Sequence, residues 1–332
     1  MKKIVIDVYG ADRGEMPVLC GSAKALLEDD SLFAVFVGDK DTIENAAKDL
    51  SIPADRYSII HTDEKIENCD IPMDILKGKA KESCSMGLAL DALRDDPDTI
   101  GLLSCGSTGA LMIGSIFRLG LIKGLKMPAL SSALPAYDGE KLVCLLDCGA
   151  NIDCKAKDLY NFALMGEAYI KSMFDTERPT VGLMSVGRED SKGNSLTKEA
   201  FALLKDSHLN FIGNMEGNDL LSGYADVIVA DGFSGNLLLK NAEACGRYAQ
   251  ALVEDLCDKH NAAPELRNAI SKLLDYRFNF NANGGATFLG TKKTGIKMHG
   301  SANNNTAYAC IKQLLRLHDR DFDHRIAECL EK

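Results

Sequence analysis

A chain of 332 residues with 46% apolar and 26% charged residues has ordinary globular composition and is long enough for one large α/β domain or two smaller ones. Its formal net charge of −10 argues against non-specific nucleic-acid binding, and no apolar segment is long enough to span a bilayer. Eleven cysteines lie scattered in apolar runs with none spaced Cys-x-x-Cys, which fits buried thiols in a reducing compartment better than a disulfide framework.

The opening MKKIVIDVYGAD carries two lysines but only a short apolar run before Asp7, so it reads as a first strand rather than a signal peptide, and the protein is expected in the cytoplasm. Further strands are expected at Phe33–Val37, Tyr57–His61, Ile100–Ser104, Val143–Asp147, Thr180–Val186, Leu209–Ile212 and Val227–Ala230. Helical periodicity falls between most of them, at Pro17–Leu27, Thr42–Leu50, Met86–Leu93, Ala110–Leu119, Leu159–Met173, Ser195–Leu204 and Leu237–Leu256. This alternation predicts an α/β fold with a doubly wound, mainly parallel sheet. Near-continuous apolar strands such as VCLLD agree, because such strands are covered on both faces. Over residues 241–280 the pattern gives way to two amphipathic stretches separated by DKHNAAPE, a projecting helical hairpin. From Gly284 the chain resumes with GGATFLG, a strand near Thr294–Met298 and terminal helices. The simplest division is one domain over residues 1–332 with the hairpin as an excursion from it.

Several chemistries lose their sequence support. No two glycines lie two residues apart, so a Gly-x-Gly-x-x-Gly dinucleotide fingerprint cannot occur, and the P-loop, Gly-x-Ser-x-Gly and His-Glu-x-x-His patterns are also missing. Six dispersed histidines and no paired cysteines offer no recognisable metal site, and no cofactor is expected. What recurs is a polar, glycine-bearing turn directly after an apolar strand: DVYGAD at 7–12, SCGSTGA at 104–110, DCGANID at 147–153, SVGREDSKGN at 185–194 and DGFSGN at 231–236. In a parallel sheet these turns gather at one edge. Their N–H groups, hydroxyls and amides, with Lys192 as a cation, suit a phosphate or a developing oxyanion. Ordinary strand-to-helix turn chemistry is the plainer alternative.

In this order the motifs resemble the bacterial phosphate acyltransferases of phospholipid synthesis, the PlsX family, from end to end. The matching residues are Asp7, Gly10 and Asp12, then STGALM, KMPAL, LLDCGANIDC, KGNSLTKEA, GNMEGND, DGFSGN, GGATFLG and HGSAN. The resemblance implies an α/β/α sandwich related to phosphate acetyltransferases, a homodimer, and transfer of an acyl chain from acyl carrier protein to inorganic phosphate. Three motifs depart from the family pattern: Ser107 stands for an Asn, Tyr9-Gly10-Ala11 for Met-Gly-Gly, and Cys84 for a Ser. Family members meet the membrane through an apolar hairpin tip; here DKHNAAPE is polar, so the expected peripheral membrane contact is weak.

Phosphate attack on a thioester needs a held nucleophile, donors for the carbonyl oxygen and a tolerated thiolate. Lys192 is the candidate cation for phosphate and the tetrahedral intermediate. Ser107, Thr108 and Gly109 are candidates to cradle phosphate, with Asp7 and Gly10 in the neighbouring motif. Asn151 and Asn194 are candidate donors to the carbonyl oxygen, or caps of their own turns. Asp231, Ser234 and Asn236 form a further wall, Asp231 orienting Lys192 or a turn N–H rather than meeting phosphate. His299 is a candidate acid for the leaving thiolate, or a structural histidine. Cys105 and Cys148 lie near the turns but read as packed thiols. An acidic carrier protein needs a basic landing patch, for which Lys77, Lys79 and Lys81, or Arg118, Lys123 and Lys126, or Lys292, Lys293 and Lys297 are candidates. A short-chain phosphotransacylase using coenzyme A and a silent ligand-binding paralogue are the rival readings.

Overall fold

The computed structural model describes residues 1–66, 70–75, 84–139, 141–280 and 284–331. In chain order the elements are β1 (Lys2–Asp7), α1 (Met16–Glu28), β2 (Leu32–Gly38), α2 (Lys40–Asp49), β3 (Tyr57–His61), α3 (Ser85–Asp95), β4 (Thr99–Ser104) and α4 (Thr108–Gly114), which runs into a π turn at Ser115–Leu119. Then come β5 (Ala129–Pro135), β6 (Leu142–Leu146), α5 (Ala156–Phe174), β7 (Thr180–Met184), α6 (Ser195–Lys205), β8 (Asn210–Met215), β9 (Val227–Val229), α7 (Gly232–Lys259) and α8 (Pro264–Phe278). The chain closes with β10 (Ala286–Leu289), β11 (Gly295–Lys297), α9 (Asn304–Asp319) and α10 (Phe322–Glu331).

Two compact units result. Unit 1 comprises Met1–Leu130, Ser172–Phe174 and Gly284–Lys332; unit 2 comprises Ser131–Lys171 and Asp175–Asn283. In unit 1 the strand order is β3-β2-β1-β4-β11-β10, parallel except for the antiparallel β10–β11 pair. The chain steps outward from β1 to β3 and returns to β4 on the other side of β1, so the order reverses between β1 and β4. At such a reversal the helices leave on opposite faces and open a crevice at the strands' carboxyl ends. Ile4, Ile6 and Val8 join one core with Val18 and Leu19 of α1 and Cys310, Ile311 and Leu314 of α9. Val5, which alternates with them, is also fully buried, so both faces of β1 are covered as the apolar run implied.

In unit 2 the order is β5-β6-β9-β7-β8, with β5–β6 antiparallel and the rest parallel. The chain skips a position between β6 and β7, and β9 fills it, placing the carboxyl ends of β6, β9 and β7 side by side. Helix α5 lies close on this sheet: a Cβ at Gly166 would stand 2.5 Å from a Val227 methyl. Helices α7 and α8 cover most of residues 241–280; α7 begins at Gly232, directly after β9, and meets α8 through Gly246 against Phe278. Pro264 opens α8, where its missing N–H costs nothing. No residue of α8 is buried, and Leu237, Tyr248, Leu252, Leu256, Leu266 and Leu273 are all exposed on the two helices. Among the described residues no helix is long and apolar enough to cross a membrane.

Candidate functional site

The expected residues fall into two clusters, one in each unit. In unit 1, β1 and β4 pair so that Asp7 lies level with Ser104. Asp7 is 1% exposed; its carboxylate accepts from the Ser104 hydroxyl at 2.7 Å and from the Tyr9 N–H at 3.3 Å. The Ser104 hydroxyl oxygen in turn accepts from the Gly106 N–H at 3.0 Å. Asp7 is therefore a strut beneath the 104–110 turn, and burial pushes its pKa up to about 6 despite these bonds. Gly10, at φ +93°, presses on that turn so closely that a Cβ would stand 2.6 Å from the Gly106 nitrogen. Only glycine fits both that dihedral and that distance.

Ser107 caps α4, its hydroxyl oxygen accepting from the Ala110 N–H at 3.5 Å. The N–H groups of Thr108 and Gly109, in the first turn, have no partner among the described residues. On the far side of the first motif, the Asp12 N–H donates to the Gly300 carbonyl at 2.7 Å, which brings the His299 turn alongside. His299 Nδ1 accepts from the Ser301 N–H at 3.2 Å, so in the neutral ring Nε2 carries the proton. The sequence reading missed Lys297 here. It stood among surface lysines, yet β11 pairs with β4 and directs its ammonium to the Cys105 carbonyl at 3.1 Å and to that of Met298.

In unit 2, the 147–153 turn is tied to Asp147, which is fully buried and accepts from the Asn151 N–H at 2.6 Å and its Nδ2 at 2.9 Å. The Asn151 amide is thus engaged with its own turn, and its carbonyl accepts from the Gly232 N–H at 2.7 Å. Asp231 caps α7, its carboxylate accepting from the Ser234 N–H at 2.8 Å and hydroxyl at 2.9 Å. Asn236 sits over Gly149, where a Cβ would meet its side chain at 3.3 Å. Asn194 caps α6 through its carbonyl, which accepts from the Thr197 N–H at 2.9 Å.

Beside these caps lies a cleft of about 200 Å³ lined by Leu159, Met184, Val186 and Ala230 and by the polar Ser185, Asn194, Thr197, Asp231 and Ser234. The Ser185 hydroxyl is buried and has no partner among the described residues. Lys192 rides on the loop whose two ends border this cleft. It is exposed and pairs with no carboxylate among the described residues, whereas its loop neighbours Arg188 and Asp190 pair with Asp219 and Lys205.

The cysteines next to the turns are packed. Burial pushes the Cys105 thiol up to about 12 and Cys148 well above its usual range, and Cys148 donates to the Leu145 carbonyl at 3.2 Å. Of the basic patches, Lys77, Lys79 and Lys81 lie outside the described residues. Arg118 is folded against Asp91 and the Gly87 and Ile75 carbonyls, and Lys293 donates to the Thr99 carbonyl at 2.8 Å. A second feature the sequence did not reveal is the approach of Asp39, His61 and Asp63, whose ligand atoms lie within 4.8 Å of one another. Asp39 caps α2, and His61 Nδ1 accepts from the Lys40 N–H at 3.1 Å, which puts the neutral ring's proton on Nε2, facing Asp63. Nε2 stands 3.9 Å from the Asp63 carboxylate, beyond hydrogen-bond distance.

A doubly wound sheet with capped, glycine-tight turns at its strand ends makes this an α/β protein whose candidate site lies at the strands' carboxyl ends. The fold is that of a phosphotransacetylase from Streptococcus pyogenes (TM-score 0.65, 16% identity, covering 100% of this chain and 95% of that one) and of a branched-chain phosphotransacylase from Enterococcus faecalis (0.57, 14%, 96% and 99%). The model of the fatty acid synthesis protein family matches residues 2–325. Curated relatives from Bacillus cereus and Bacillus mycoides, each called phosphate acyltransferase, are 38% identical over 334 aligned positions, covering 99% of this chain and 98% of theirs. The chain belongs to this family, the PlsX family that its motifs resemble.

Proposed function

We propose that the protein is a phosphate acyltransferase, moving a fatty acyl group from acyl carrier protein to inorganic phosphate and so forming an acyl phosphate for phospholipid synthesis. The observation that carries this reading is Lys192, an exposed lysine that pairs with no carboxylate among the described residues, on a tethered loop whose two ends line a partly apolar cleft. Membership of a family whose curated relatives bear that name supports it.

A phosphate oxygen attacks the thioester carbonyl, a C–O bond forms, the carbonyl oxygen becomes an oxyanion, and its collapse breaks the C–S bond. Lys192 offsets the charge of the phosphate and of the intermediate. Within unit 2 the uncommitted Nδ2 of Asn194 is the assigned donor to the carbonyl oxygen; within unit 1 the N–H groups of Thr108 and Gly109, without a partner among the described residues, are with Ser107 the assigned anion donors. In unit 1 the Nε2–H of His299 is the assigned hydrogen-bond donor to the departing thiolate. Asp7 and Gly10 hold the phosphate turn in shape, while Asp231, Ser234, Asn236 and Asn151 hold the cleft wall. The family match over residues 2–325 supports one functional domain with the 241–280 hairpin as its excursion.

The exposed apolar side chains along α7 and α8 support a homodimer formed through the hairpin. The polar tip DKHNAAPE supports at most weak membrane contact, in keeping with an enzyme of the cytoplasm. The test is acyl phosphate formation from phosphate with matched acyl chains on acyl carrier protein and on coenzyme A, for wild type and Lys192→Ala. Carrier-protein preference with loss in the variant is expected. Preference for coenzyme A overturns the donor assignment, and no turnover by folded wild type overturns the activity.

A further inference from the structure

The GNMEGND segment, 213–219, has no task in the mechanism above, yet it is what grips the Lys192 loop. Asn214, on β8 level with Leu183 of β7, is 5% exposed and donates its Nδ2 to the Glu189 carbonyl at 2.9 Å. The same carbonyl accepts the Lys192 N–H at 3.0 Å. One oxygen thus joins a rigid strand to the backbone of the cationic residue. Two residues earlier in the sequence than Lys192's partner lies Gly187, and next to it Arg188 reaches Asp219, a 4% exposed carboxylate that also accepts the Glu216 N–H at 3.0 Å.

Asn214 makes this bond at a cost. Its Oδ1 is buried and has no partner among the described residues, an arrangement that penalises folding. An apolar side chain of matching size would carry no orphaned acceptor. The Glu189 carbonyl would keep the Lys192 N–H, so no new orphan would arise. Stability therefore gives no reason for asparagine at this position, whereas fixing the loop does.

We propose that Asn214 is a positioning residue that sets where Lys192 presents its ammonium, with the Arg188–Asp219 pair as the second tether of the same loop. This rests on the reading of Lys192 as the cation of phosphate acyl transfer. A lysine on a loop with one tether removed samples positions away from the reacting atoms, and small misplacements of a catalytic group cost about a hundredfold in rate.

The experiment compares Asn214→Leu, Lys192→Ala and the double variant in acyl phosphate formation, with thermal melting of each. Asn214→Leu is expected to stay folded, with a cooperative melt, while kcat falls about tenfold to a hundredfold and KM for the acyl donor is unchanged. In the Lys192→Ala background the same substitution is expected to have no further effect on rate. Arg188→Leu, tested alongside, is expected to lower kcat in the same Lys192-dependent way. Full activity of Asn214→Leu, or a loss that adds to that of Lys192→Ala, overturns the inference while leaving Lys192 in its role. A fully active Lys192→Ala overturns that role and the inference together.

Discussion

Gly235 lies against Asp147 so closely that a Cβ there would stand 1.9 Å from the Asp147 carbonyl oxygen. The neighbouring Gly232 is held in the same way, its absent Cβ 2.5 Å from the Asn151 carbonyl oxygen. The first turn of α7 is thus laid backbone to backbone on the 147–151 turn, which explains two glycines where a buried strand passes into a helix. Gly235→Ala forces the two turns apart and is expected to lower stability by about 1–3 kcal/mol, the range for overpacking, and to reduce turnover. Gly217→Ala is the control, since a Cβ there meets only a Leu238 methyl at 3.5 Å and is expected to be tolerated. Melting curves of the two variants check this, and equal melting would contradict the close-packing account.

Asp7 makes stability depend on pH in a stated direction. Burial raises its folded pKa from 3.8 to about 6, so folding favours the protonated form. That contribution is full below pH 4 and is lost as pH rises through 6, a total of about 3 kcal/mol at 1.36 kcal/mol per unit. Asp7→Asn keeps an acceptor for the Ser104 hydroxyl and cannot ionise. Relative to wild type, its stability is expected to rise by about that amount between pH 4 and pH 8. Asp323, also raised to about 6 by burial, contributes in the same direction to both proteins and cancels in the difference. Denaturant titrations across this range are the measurement.

Much of this architecture was legible in the sequence, and the exceptions have physical causes. The parallel strands stood out because burial on both faces makes them near-continuous apolar runs, as at Ile4–Ile6 and Val227–Val229. Strand β5 was missed: ALSSALP sets two serines mid-strand and ends in proline, and its antiparallel pairing with β6 is a long-range fact. Strand β10 was read only as part of a glycine motif, since four residues carry too little period to register. Helix α7 was expected from Leu237 because Gly232 and Gly235 have low helix propensity, yet the Asp231 cap and close packing start it five residues earlier. The candidate site residues were found as turn residues, but which of their atoms were already committed was not legible. Asn151 and Asn194 look alike in sequence, while one spends its Nδ2 on Asp147 and the other spends only its carbonyl, on a cap.

Cys105 and Cys148 are expected to be dispensable. The thiolate is the nucleophile, and burial holds both thiols far from ionisation at neutral pH. Cys105→Ala and Cys148→Ala are each expected to keep turnover within about threefold, with a stability loss of about 1 kcal/mol for the lost packing. Neither cysteine should take up acyl label during turnover, as judged by mass spectrometry of the quenched enzyme. A labelled Cys105 or Cys148 would replace direct phosphate attack with an acyl-enzyme route.

Asn194 allows its two tasks to be separated, because its carbonyl caps α6 and its amide has no partner among the described residues. Asn194→Ala removes both and is expected to cost about 1 kcal/mol, the usual worth of an N-cap. Asn194→Asp keeps the capping acceptor and adds a negative charge at the helix N-terminus, where it is favourable, so its melting temperature should equal or exceed that of wild type. It removes the amide donor and sets a carboxylate where a carbonyl oxygen is to become negative. Its kcat is therefore expected to fall about a hundredfold or more, the cost of losing one oxyanion donor. A stable Asn194→Asp enzyme with undiminished kcat would reduce Asn194 to a helix cap and leave Lys192 as the only assigned stabiliser in unit 2.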